Sequence, residues 1–179
     1  MSNGQHFFND GYDDGHRREH GDRGEDATAR LCEYFGYDHV MHPFGQMGID
    51  HKIYKNGITF YADSEVRPQW PLYQDSFPWS PLHIPHRKRD AMYDHDKSVY
   101  IAWRSDFKVA VLIDMQEALA MGAKTQHGPP NYRVPQGGEA FYNVPKSCWR
   151  YWSAGRDMQY APDPFAWIYR ASNNSLLGT

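Results

Sequence analysis

The dipeptide Asn56-Gly57 places the strongest constraint on how this chain folds. It lies between two stretches rich in β-branched and aromatic residues. Both Asn and Gly tolerate the positive φ angles that a tight two-residue turn requires, so the pair favours a β-hairpin. We therefore predict that residues 49–54 and 58–67 form two antiparallel strands.

The predicted turn determines which side chains share a face of the hairpin. Counting outward from the turn brings Asp50 opposite Asp63. Because side chains alternate between the two faces of a strand, Asp63, Glu65 and Arg67 share one face, and Asp50 joins them from the neighbouring strand. Carboxylates that close repel one another strongly. A hard divalent cation relieves the repulsion, since Mg²⁺ prefers carboxylate oxygen and water as ligands.

This arrangement resembles the PD-(D/E)XK nuclease superfamily. The signature of that family is an acidic residue on one core strand, followed by an acidic-x-Lys triplet on the next strand. Asp50 matches the first acid, and Glu65-Val66-Arg67 matches the triplet. Many members add a Glu on the preceding helix, and Glu25 is placed for that role. The resemblance implies Mg²⁺ or Mn²⁺ held by Asp50 and Glu65, with Glu25 helping directly or through water.

The triplet departs from the family pattern at Arg67, where most members carry Lys. Arginine stays charged at any working pH, so it stabilises negative charge but transfers protons poorly. In some members a lysine from the following helix replaces the missing one, and Lys88 is the candidate here. Asp63 would bind a second metal, tune the first, or be only a surface charge, since the register is inferred. Glu25 equally suits the positive N-terminal end of its helix.

Hydrophobic periodicity predicts the order of elements around the hairpin. The predicted elements are a helix over 25–35, a strand within 37–44, the hairpin, a helix over 82–93 that starts either at Leu82 or at Pro85, strands over 98–104 and 108–113, and a helix over 115–121 capped by Asp114. We therefore expect an α/β (α+β) fold with a mixed central sheet flanked by helices. The succession agrees with the αβββαβ restriction-endonuclease-like core that the resemblance implies.

The length of 179 residues predicts one domain. We expect a flexible arm over 1–24, a single nuclease-like domain over 25–170 and a frayed tail over 171–179. A short edge strand is predicted over 141–144. The aromatic residues between 149 and 160 either cover a sheet face or contact nucleic acid, and covering is favoured because large aromatics usually serve burial.

The formal net charge of -3 gives the chain no strong overall attraction for nucleic acid. DNA, the partner that the resemblance implies, must therefore be bound by local groups. The densest basic run is Arg87-Lys88-Arg89, and Gln69 follows the triplet closely. Many of the resembled nucleases act as dimers, so the sequence does not decide between a monomer and a homodimer.

Cysteine usage and hydropathy favour a cytoplasmic location without membrane association. The two cysteines, Cys32 and Cys148, belong to no CxxC pair, which fits an intracellular protein. Residues 1–24 lack the apolar segment of a signal peptide, and no apolar run approaches membrane-spanning length.

These observations predict a metal-dependent endonuclease that hydrolyses DNA phosphodiester bonds. The small size favours a structure-selective or phage-type enzyme, although the motif does not distinguish DNA from RNA. The alternative is an inactive nuclease-fold module that binds nucleic acid or a protein, which Arg67 and the acidic net charge favour. A histidine-based zinc enzyme is a third hypothesis, but His39, His42 and His51 match no familiar ligand spacing.

Overall fold

A computed structural model describes residues 14–45, 48–121, 124–127 and 140–169, with side chains described from Arg23 onward except at 89 and 124–127. The helices include α1 (Asp14–Tyr34), α2 (His86–Tyr93) and α3 (Met115–Ala120), with 3-10 turns at Lys146–Cys148 and Met158–Tyr160 and a further helical turn over 166–169. The strands are β1 (Asp38–Met41), β2 (His51–Lys55), β3 (Ile58–Arg67), β4 (Leu82–Pro85), β5 (Ser98–Arg104), β6 (Val109–Asp114), β7 (Lys124–His127), β8 (Ala140–Val144) and β9 (Trp149–Ser153).

The strands form two sheets. A six-stranded sheet has the order β1-β2-β3-β5-β6-β9, and a three-stranded sheet has the order β4-β8-β7. β3 and β5 pair in parallel, whereas the other neighbours in the large sheet pair antiparallel. Parallel strands need a long crossover, and α2 lies within the connection between β3 and β5. The predicted class, a mixed sheet with helices, is confirmed.

The hairpin at the turn has the predicted geometry. Lys55 pairs with Ile58, and Asn56 and Gly57 have φ angles of 52° and 77°. Positive φ at both central residues is the property for which this dipeptide is suited. The pairing runs outward to His51, which faces Ala62. The next residues outward are Asp50 and Asp63, as the sequence predicts.

The large sheet is covered on both faces. Val99 and Ile101 of β5 belong to the same core cluster as Leu31 of α1. Tyr100 and Ala102 belong to a second cluster, which includes residues of α2, α3 and the small sheet. All seven residues of β5 are therefore buried. Burial on both faces explains why β5 and β6 are nearly continuous apolar runs rather than alternating ones.

Helix α1 corrects the predicted N-terminal arm. It begins at Asp14, so residues 14–24 are helical rather than a flexible arm. That stretch contains no proline, and once residues 27–31 pack on the sheet, each further turn adds hydrogen bonds without a new nucleation cost. Residues 1–13 and the predicted tail over 171–179 lie outside the described residues. Within the described chain, none of the helices combines the length and apolar character needed to cross a bilayer.

The small sheet corrects two further predictions. Leu82–Pro85 is strand β4, and α2 begins only at His86. Proline disfavours helical geometry in the residue before it, and β8 offers β4 an antiparallel partner. β8 is the middle strand of its sheet, not an edge strand, because β7 pairs along its other side.

His51 makes the stability of the fold depend on pH. The side chain is fully buried, and neither ring nitrogen has a hydrogen-bond partner among the described residues. Burial lowers the pKa of His51 from 6.5 to about 4. The nearby Asp50 opposes this shift, while His39, His42 and Lys88 add to it. The unfolded chain therefore binds the proton more readily than the folded chain between these values, so stability is lost as pH falls through this window.

We expect acidification from pH 7 to 4.5 to lower the free energy of unfolding of the wild type by roughly 2–3 kcal/mol through protonation of His51. In His51→Leu that component should vanish, because no proton can bind there. Urea denaturation of both proteins at the two pH values measures the difference. His83→Gln, at an exposed histidine of β4, should behave as wild type. Equal losses in wild type and His51→Leu would show that His51 is not the group responsible.

Candidate active site

Three acidic residues of the large sheet, Asp50, Asp63 and Glu65, lie on the face beneath α2. The backbone N–H of His42 donates to the carbonyl of Asp50 at 2.7 Å, which extends the pairing of β1 and β2 by one step. The hairpin register then sets Asp50 beside Asp63. Three neighbouring strands therefore present His42, Asp50 and Asp63 side by side, and the Asn56-Gly57 turn is what aligns the last two.

Helix α2 brings Lys88 onto this face. Its ammonium forms an ion pair with Asp63 and lies 3.8 Å from Oδ2 of Asp50. Asp63 is 1% exposed and Asp50 is 7% exposed, so these charges meet almost out of water. Burial disfavours the charged lysine, but Asp63, Asp50 and Glu65 outweigh it and raise the pKa of Lys88. Lys88 therefore keeps its proton at neutral pH.

The two aspartates differ in how they are held. Asp50 Oδ2 accepts a hydrogen bond from the backbone N–H of Ser64 at 2.8 Å, which orients the carboxylate. Burial raises the pKa of Asp63 while Lys88 opposes the shift, and Asp50 adds to it. Asp63 thus takes up a proton more readily than an exposed aspartate does.

Glu65 is held by a separate network. Tyr100 donates to Oε2 of Glu65 at 2.5 Å, and Arg67 Nη2 lies 3.4 Å from the same oxygen. Arg67 also donates to the hydroxyl of Tyr100 at 2.7 Å and to the carbonyl of His83 at 2.6 Å. Burial opposes ionisation of Glu65, but Arg67, Lys88 and the Tyr100 hydroxyl together lower its pKa. Glu65 is therefore an ionised acceptor at neutral pH.

A third group lies where α1 approaches the ends of β1 and β2. Oε2 of Glu25 is 3.0 Å from Nε2 of His42. One ligand atom from each of Glu25, His42 and Asp50 lies within 4.8 Å of the others. His42 has a φ of 49°, a left-handed conformation that costs a residue other than glycine about 1–2 kcal/mol. Two carboxylates and an imidazole at this spacing have the donor atoms for a divalent cation.

The predicted metal ligands thus separate into two sets. Glu25 and Asp50 belong to the group of three, whereas Asp63 and Glu65 are engaged by Lys88 and by the Tyr100–Arg67 pair. In the described part of the chain, no other group of three or more histidines, cysteines and acids has that spacing.

Sequence reasoning missed Tyr100, and it considered His42 only as a zinc ligand together with His39 and His51. His42 has no telling spacing in sequence, and only the pairing of β1 with β2 brings it beside Asp50. Tyr100 lies in an apolar run that reads as core, but the parallel register sets it opposite Asp63. Tyr100 could be predicted as a site residue only once β3 and β5 are known to be neighbouring strands.

The residues predicted to bind nucleic acid are more scattered. Lys88 lies inside the site, while Arg87 is exposed on α2 and Gln69 is exposed in the turn after β3. The side chain of Arg89 is outside the described residues. Of the aromatic residues between 149 and 160, Trp149 and Trp152 are buried, which agrees with the predicted role in covering the sheet, whereas Tyr151 and Tyr160 are exposed.

Comparison with known proteins adds no relative, because no family model, curated protein or solved structure matches the chain. The chemistry of the site must therefore be argued from its own residues. These comprise an acid–imidazole group suited to a cation, a lysine shared by two buried aspartates, and a glutamate fixed by tyrosine and arginine.

Proposed function

We propose that this chain is a metal-dependent endonuclease that hydrolyses DNA phosphodiester bonds with a restriction-endonuclease-like arrangement of acids and lysine. The position of Lys88 carries the proposal. A lysine from α2 lies against Asp50 and Asp63, on the face that Glu65 shares, while the triplet itself carries Arg67. Ionised groups are costly to bury, and clusters of them with shifted pKa values are typical of functional sites.

Glu25, His42 and Asp50 are the residues that would hold Mg²⁺ or Mn²⁺. A cation bound there supplies polarisation of the scissile phosphate and a water of lowered pKa. Lys88 donates hydrogen bonds to the charge that develops on the phosphate, and Asp63 holds its ammonium in place. Arg67 is already bound to Tyr100 and to the His83 carbonyl, so its role in this proposal is to orient Glu65.

The imidazole of His42 predicts a preference among cations. Nitrogen ligands favour transition metals over Mg²⁺, so we expect Mn²⁺ to bind more tightly than Mg²⁺. His42→Ala should weaken Mn²⁺ binding by about 10–100-fold and Mg²⁺ binding less. Calorimetric titration of the purified protein measures both constants. His86→Ala, on α2 outside this group, is the matched control. Unchanged Mn²⁺ binding in His42→Ala would remove this residue from the ligand set.

A cleavage panel tests the proposal directly. The full chain is incubated with labelled duplex, nicked, branched and single-stranded DNA, and with RNA, under Mg²⁺, Mn²⁺ or EDTA. We expect cleavage of at least one DNA in the presence of the cations and none with EDTA. Cleavage that persists in EDTA, or the absence of cleavage under both cations, contradicts the proposal.

One observation favours a second candidate, an inactive module that binds nucleic acid or a protein. Asp63 is paired with Lys88, and Glu65 is paired with Tyr100 and Arg67. Much of the negative charge is therefore balanced by the chain itself. This candidate predicts no Mg²⁺ or Mn²⁺ binding that depends on Asp50, and the same calorimetry distinguishes it from an enzyme.

A further inference from the structure

Three aromatic rings form a stack on the surface near the site. Phe44 lies 5.7 Å from Tyr61 and 5.4 Å from His95, measured between ring centroids, with interplanar angles of 28° and 19°. Tyr61 and His95 are 4.0 Å apart at 31°. The three rings are thus close to parallel. We call Phe44, Tyr61 and His95 the ring stack.

Each residue of the ring stack lies on a segment of the chain that also carries a residue of the candidate active site. Phe44 follows His42 by two residues, and Tyr61 precedes Asp63 by two residues on the same face of β3. His95 is the second residue after α2, the helix that carries Lys88. A group that rests on the stack is therefore close to Asp63, which lies two residues, about 7 Å, along β3 from Tyr61 and pairs with Lys88.

Phe44 keeps an open ring although its neighbours hold it in place. Its side chain is 58% exposed, while Tyr61 and His95 contact it. The backbone also passes close by, since a Cβ at Gly48 would lie only 3.1 Å from Cβ of Phe44. Leaving an apolar ring uncovered forgoes hydrophobic stabilisation. A fixed ring with an open side is suited to receive another flat group.

We propose that the ring stack receives an unpaired nucleobase, so that the substrate is DNA with a single-stranded segment next to the bond that is cut. Bases inside a duplex are covered by their neighbours on both faces, so an internal base can lay its face on a protein ring only when it is unpaired. Lys52 pairs directly opposite Tyr61 and sets a cation beside the stack for the backbone phosphate. The inference rests on the proposed function for its choice of nucleic acid as the occupant.

Binding in EDTA tests the inference without cleavage. The probe is a single strand carrying 2-aminopurine, whose fluorescence is quenched when the base stacks, compared with the same strand in a full duplex. We expect wild type to quench the single strand, and Phe44→Ala to lose the quenching and bind it about tenfold more weakly. Phe44→Trp should restore both, because it keeps a flat ring. Duplex binding should stay within about twofold in all variants, since duplex contacts are made by phosphate charges.

Tyr160→Ala is the matched control. Tyr160 is 81% exposed and follows β9, the strand at the opposite edge of the large sheet from β1. It should bind and quench as wild type. If Phe44→Ala binds and quenches the single strand like wild type, or loses duplex affinity equally, the inference is overturned. Quenching that depends on Phe44 without cleavage under any cation would support the ring stack and refute the proposed hydrolysis.

Discussion

Lys88→Met is expected to lower the free energy of unfolding by about 3–5 kcal/mol, because removing one partner of a buried ion pair leaves the other charge uncompensated. Asp63 is 1% exposed and loses its cationic partner, while Asp50 loses the charge 3.8 Å away. The same substitution should abolish cleavage, since under the proposed function Lys88 donates to the phosphate. Urea denaturation and the cleavage panel measure the two effects separately.

A double variant separates stability from chemistry. In Lys88→Met with Asp63→Leu, both members of the pair are removed, so much of the lost stability should return. Cleavage should stay absent. Lys108→Met, at an exposed lysine between β5 and β6, should change stability by less than about 0.5 kcal/mol. If Lys88→Met costs less than about 1 kcal/mol, the ammonium is not buried against the aspartates as described.

Asp50→Asn is expected to remove divalent-cation binding and to slow cleavage by about a thousandfold or more, as the loss of a central electrostatic group does. Asparagine keeps an oxygen that can accept from the backbone N–H of Ser64, so the fold should survive. Asp50→Ala lacks that acceptor, so besides these two effects it should lower the free energy of unfolding by about 1–3 kcal/mol. Calorimetric titration with Mn²⁺ and the cleavage panel read out the first two effects.

The control for Asp50→Asn is Asp38→Asn, which neutralises an exposed carboxylate on β1 and should change neither measurement. Glu65→Gln adds a second comparison. The resemblance implies that it holds the metal, whereas the structure has it bound to Tyr100 and Arg67. Loss of cleavage with retained Mn²⁺ binding in Glu65→Gln would assign it a positioning role. Asp50→Asn that cuts at the wild-type rate would refute the enzymatic proposal.

The parts of the fold that follow from local chemistry were predictable from the sequence. Asn56-Gly57 sets both the turn and the register, so the juxtaposition of Asp50 and Asp63 needs only counting. Asp114 accepts from the backbone N–H groups of Gln116 and Glu117, as its position before a helix predicts. The capped helix and the hairpin each depend on residues that are neighbours in sequence.

The parts that depend on distant partners were not predictable in the same way. β4 is a strand because β8, more than fifty residues later, pairs with it. Tyr100 enters the site through the parallel pairing of β3 with β5, which no local pattern encodes. His42 enters the site because its backbone N–H donates to the carbonyl of Asp50, and no local pattern in the sequence predicts this contact. Each of these required the fold before the residue's role became visible.

The tight connection between β2 and β3 makes the length of this segment more critical than most of its residue types. Inserting one residue between Ile58 and Asp63 would turn Asp63 and Glu65 to the α1 side of the sheet, away from Lys88. Inserting two would restore the side but displace both acids by about 7 Å along the strand. Homologous chains that share this chemistry are therefore expected to vary in the residues here but to conserve the spacing from turn to acids without gaps.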